Sequence, residues 1–89
     1  MIKVGDVMAA RVGHAKKRLR FYEVLAVRSG RVDVCPLHAS GSPYGPAEEV
    51  SPLLGCYSGG ILKGKKLSAA GKVQVTPFSW ATKWESSDA

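Results

Sequence analysis

Long apolar runs are missing from this 89-residue chain. No uninterrupted stretch approaches the ~20 residues that cross a bilayer as a helix. The opening MIKVGDVMAARV has neither the basic head nor the continuous apolar core of a secretory leader. The expectation is a cytoplasmic protein with no membrane partner. Cysteine is limited to two residues, Cys35 and Cys56. A cytosolic chain keeps its thiols reduced, so both are expected free and partly buried.

Catalytic signatures are also missing. There is no Gly-x-Ser-x-Gly elbow, no phosphate-cradling glycine motif followed by lysine and serine, and no carboxylate pair placed as an acid/base couple. Glu48-Glu49 reads as a solvated loop pair. The stretch GGILKGKK has glycines and lysines without the strand-loop-helix setting that a phosphate loop requires. The expectation is a non-enzyme with no cofactor. His14, Cys35, His38 and Cys56 supply zinc-ligating residue types, and CPLH has two-residue ligand spacing. Only that pair is local, however, and no metal site is assigned.

Acid is scarce too: seven Asp and Glu stand against thirteen Lys and Arg, a formal charge of +6. An excess of this size on one small domain favours a polyanionic partner. The positive charge is clustered in KKRLR (residues 16–20), in Arg28 and Arg31, and in KGKK (residues 63–66).

What the chain does contain is turn chemistry and alternation. Eighty-nine residues suffice for one core, read as a single domain over residues 1–85 with a frayed tail at 86–89. Ten glycines and five prolines suit many short turns better than long helices. Strands are expected at 6–12, 19–28, 31–37, 61–67 and 72–78, with a basic loop at GHAKKR. The long Pro- and Gly-rich segment 38–60 should hold a 3₁₀ turn or edge strand within EEVSPLLGCYS. Trp80 and Trp84, four residues apart, suggest a C-terminal helical turn packing back on the sheet.

The clearest element is the hairpin over 21–37, turned by Ser29-Gly30. A two-residue loop sets Arg28 opposite Arg31, Val27 opposite Val32 and Leu25 opposite Val34. Alternation then puts Phe21, Leu25, Val27, Val32 and Val34 on one face, and Arg20, Tyr22, Arg28, Arg31 and Asp33 on the other. Glu23 is the misfit on the apolar side. Two arginines directly opposed repel one another, so the pair is expected to meet an anion, either a ligand or Asp33.

The KVGDVM opening, the meander order and the tight turn between the second and third strands resemble the SH3-like small barrels. The likeness covers residues 3–37 mainly and 61–78 loosely. It implies a mostly β, partly open barrel of about five strands. Members with a VGD opening include nucleic-acid binders and small plasmid toxins, but residues 18–24, RLRFYEV, depart from the arginine-proline segment usual in the toxins.

Nucleic acid, DNA or RNA, is the expected partner. Lys16, Lys17, Arg18, Arg20, Arg28, Arg31, Lys63, Lys65 and Lys66 would meet the phosphate backbone, with Tyr22 stacking on a base. The alternative is a protein-interaction module, even an inhibitor occluding an acidic protein surface, with Tyr57, Trp80 and Trp84 as anchors. A homodimer is left open.

Overall fold

A computed structural model describes residues 2–84. The chain first turns at Lys3–Asp6, where the Asp6 carboxylate accepts the Lys3 N–H and Gly5 takes a positive φ. Seven strands follow: β1 (Val7–Val12), β2 (Arg18–Arg28), β3 (Arg31–Ser40), β4 (Ser51–Cys56), β5 (Leu62–Lys66), β6 (Val73–Thr76) and β7 (Ser79–Lys83). Short 3₁₀ turns lie at His14–Lys16, Ala47–Glu49 and Ser58–Gly60. Among the described residues no helix is long and apolar enough to cross a membrane.

All pairings are antiparallel, in the order β4-β3-β2-β1-β7-β6. The outer edge of β3 is shared. β5 pairs with its hairpin half, Arg31 to Val34, and β4 with its far half, Leu37 to Ser40. Pro36 sits where the partner changes. Its carbonyl points outward and accepts the Tyr57 N–H at 3.0 Å. A strand residue sends its N–H and C=O to the same side, so the N–H that proline lacks would have faced this gap in the ladder, and the proline is tolerated in mid-sheet.

A bridge between Leu67 and Val73 brings the end of β5 to β6, so the sheet curls over an inner cluster. Met8, Tyr22, Val24, Val32, Val34, Val73 and Ala81 are its most deeply buried members. A second, smaller cluster lies on the other face of β2: Leu19, Phe21, Leu37 and Val50, with Trp84 set edge-on to Phe21 at 5.6 Å. Phe21 and Tyr22 are therefore both buried, on opposite faces of one strand.

A β-bulge corrects the expected hairpin register. Arg28 faces Arg31 and Val27 faces Val32, but Ala26 then faces Asp33 and Val24 faces Val34, with Leu25 as the extra residue. One added residue reverses the alternation for the rest of the strand. Tyr22 goes inward, while Phe21 and Glu23 go to the outer face, which accounts for the apparent misfit of Glu23.

The mostly β reading holds, and strands occupy all five expected regions. Two further strands, β4 and β7, raise the count among the described residues to seven. EEVSPLLGCYS carries both a 3₁₀ turn and an edge strand. The helical turn expected at Trp80–Trp84 is instead strand β7, because Ala81 and Ser79 are drawn into the sheet by β6 while β1 pairs with Thr82 and Lys83. The tail at 86–89 lies outside the described residues.

Candidate functional site

The basic clusters of the sequence lie towards the two ends of β2. At the hairpin end, β5 carries KGKK alongside the Arg28/Arg31 tip: Arg31 is paired with Arg28 on one side and with Lys66 on the other. Three cations thus stand in register on three adjacent strands. Arg28 alone of the three has a carboxylate partner among the described residues, Asp33 at 2.6 Å.

Asp33 is only 8% exposed. Its second oxygen accepts the Gly64 N–H at 2.8 Å. That backbone hydrogen bond is the main cause holding the carboxyl below its ordinary pKa; desolvation opposes it, and Arg28 and Lys63 add to the lowering. Gly64 has φ +63°, a left-handed conformation that suits glycine. The Arg31 guanidinium donates to the Gly64 carbonyl at 3.3 Å. Asp33 thereby fixes the lysine-bearing strand against the tip. Arg31, Lys65 and Lys66 border a depression of about 340 Å³ with Gln74, Thr76 and Pro77.

At the far end, Arg18 and Arg20 alternate with Leu19 on β2 and line a groove of about 330 Å³ with Pro36, His38, Pro43 and Tyr57. Arg11 braces this end, donating to the carbonyls of Lys17 at 3.1 Å and Gly45 at 3.2 Å. Lys16 and Lys17 are exposed beside it, and Ala15 and Lys16 have positive φ. The His38 ring meets Tyr57 at a centroid distance of 6.2 Å.

The expected interface is therefore divided. KGKK joins the Arg28/Arg31 tip through β5, whereas KKRLR lies at the other end of β2, roughly 30 Å away at ~3.3 Å per strand residue. Tyr22 cannot stack on a base as expected: it is 3% exposed, and burial raises the pKa of its hydroxyl against the opposing effect of Arg20 and Arg18. Tyr57, 56% exposed, is the aromatic beside those arginines.

The three expected anchors have separate settings. Tyr57 lies in the groove, Trp80 is opposite Gln74 on β6, and Trp84 packs in the outer cluster on Phe21. Phe78, at the β6–β7 turn, is 81% exposed.

The cysteines are not free. Cys35 and Cys56 form a disulfide, with Cα atoms 5.6 Å apart. β4 lies beside β3, and this juxtaposition brings together two residues 21 positions apart. With both sulfurs bonded to each other, no thiolate is left for a zinc site. The sequence favours free thiols over a Cys35–Cys56 bond, and it gives no sign that Asp33 holds Gly64, because each depends on which strand takes which half of the β3 edge.

Compared with known proteins, the chain matches no family model, no curated protein and no solved structure.

Proposed function

We propose that this chain is a small nucleic-acid-binding protein that acts by binding, not catalysis, and meets the phosphate backbone with the hairpin end of its sheet. The observation that carries this reading is the register Arg28–Arg31–Lys66. Like charges directly opposed across strands destabilise a sheet, and Asp33 offsets Arg28 alone. Arg31 donates to the Gly64 carbonyl, but among the described residues it has no carboxylate to offset its charge beside Lys66. An anion lying over both relieves the repulsion, and a run of phosphates supplies one for each group.

The fold reading that accompanies this is an SH3-like barrel, formed where the sheet curls through β5 and β6, with β4 as an added edge strand. Its location is tied to the disulfide. A cytoplasmic chain keeps its thiols reduced, so the bonded pair favours an oxidising surrounding over the cytoplasmic one that the sequence suggests.

Equilibrium binding to a labelled oligonucleotide across a salt series tests the function. Phosphate contacts predict that log K falls linearly with log salt, by about 0.9 per phosphate neutralised on duplex DNA. No binding at low salt would overturn the reading. Capture of a protein partner that survives nuclease treatment and high salt would turn attention to Phe78 and Trp80, the exposed aromatic residues of the β6–β7 hairpin.

A further inference from the structure

The groove at the far end of β2 has a composition that a phosphate-only surface does not need. It joins two arginines to an exposed aromatic ring, and its lining contains no carboxylate. We propose that this groove takes an unpaired nucleotide, its base stacked on the Tyr57 ring and its phosphate drawn to Arg18 and Arg20, so that the chain prefers single-stranded nucleic acid. This inference rests on the nucleic-acid reading above and specifies the form of the ligand.

The platform is held in place before any ligand arrives. The Tyr57 N–H donates to the Pro36 carbonyl at 3.0 Å. The preceding residue, Cys56, is tied covalently to buried Cys35. Gly60 lies beneath the ring: a methyl group there would fall 3.2 Å from Tyr57 Cδ2 and 3.1 Å from Pro36 Cγ. An exposed aromatic fixed from three directions loses little freedom on binding, which favours affinity.

The surroundings select the ligand. At about 330 Å³ the groove lies at the small end of ligand pockets, suited to one planar ring and its neighbouring phosphate. The edge-on contact between His38 and Tyr57 borders the platform with a second ring. Stacking on aromatic side chains tolerates every base, because each base has a π face. A base within a duplex has both faces covered by its neighbours, so this contact is open only to unpaired nucleotides.

The test measures binding of the full chain to three probes: a short oligothymidylate, the same strand with abasic sites, and a duplex of equal length. Tyr57→Ala should lower affinity for oligothymidylate roughly 10-fold, with the duplex affinity and the salt slope unchanged. Tyr57→Phe should restore the single-strand affinity, since the ring and not the hydroxyl stacks. The abasic strand should bind the parent and Tyr57→Ala equally. Thermal melts of both variants check the fold. Oligothymidylate bound equally by the parent and a folded Tyr57→Ala variant would overturn the inference while leaving the nucleic-acid reading intact. A parent that binds none of the three probes would overturn both.

Discussion

The Gly64 N–H donates to the Asp33 carboxylate at 2.8 Å, joining β5 to β3 next to the hairpin tip. The same carboxylate takes the Arg28 guanidinium at 2.6 Å. One buried acid thus neutralises one cation of the tip and holds the segment that carries three others, Lys63, Lys65 and Lys66.

Replacing this acid should cost stability before it affects ligand binding. Asp33→Ala should lower the Tm by roughly 5 °C or more, because Gly64 loses its acceptor and Arg28 its partner. Its pH dependence has a definite sign. The folded-state pKa lies below the unfolded value, so the contribution is present above about pH 4 and is lost as pH falls through the folded pKa. Melts of the parent across this range should show a steeper acid loss than those of Asp33→Asn. Parallel curves would remove Asp33 as the cause.

The two hairpin arginines should separate under mutation. Arg28→Ala breaks the ion pair with Asp33 and should lower the Tm. Arg31→Ala relieves repulsion from Arg28 and Lys66 but gives up one exposed hydrogen bond to the Gly64 carbonyl, so it should change the Tm less than Arg28→Ala does, while the salt slope of binding falls by about 1. Equal effects of the two changes on melting, with none on binding, would contradict these separate roles.

Reduction of the Cys35–Cys56 bond should destabilise the chain by about 3 kcal/mol on a chain-entropy estimate for a loop of this length. Denaturant melts with and without reductant measure the difference, and intact mass before and after reductive alkylation confirms the state of the thiols. The loss of order should be greatest at Tyr57, whose neighbour is one of the bonded residues. Hydrogen exchange that rises evenly over the chain would argue against this local anchoring.

Gly60→Ala gives a milder perturbation of the same platform. The added methyl crowds the Tyr57 ring and Pro36, so the ring must shift while the disulfide stays in place. Single-strand affinity should fall by less than it does in Tyr57→Ala, and duplex affinity should not change. An unchanged single-strand affinity would show that the ring position is not critical.

The sequence by itself determined the β character, the Ser29-Gly30 turn, the facing of Arg28 and Arg31 and the basic charge, because these depend on local geometry and composition. Glu23, the polar residue out of phase with its strand, stands out as a misfit near the strand end, but alternation alone does not show that an extra residue enters or where. Only the tertiary structure decided that Leu25 is that residue, and so that Tyr22 is buried, and separately that Tyr57, in the turn after β4, is exposed. It also decided that KGKK and KKRLR belong to opposite ends, that Cys35 meets Cys56 and that Asp33 holds Gly64. Each of these depends on β3 dividing its outer edge between β4 and β5. That choice of long-range partners is set by how the whole sheet buries its apolar faces, and no local stretch of the chain encodes it.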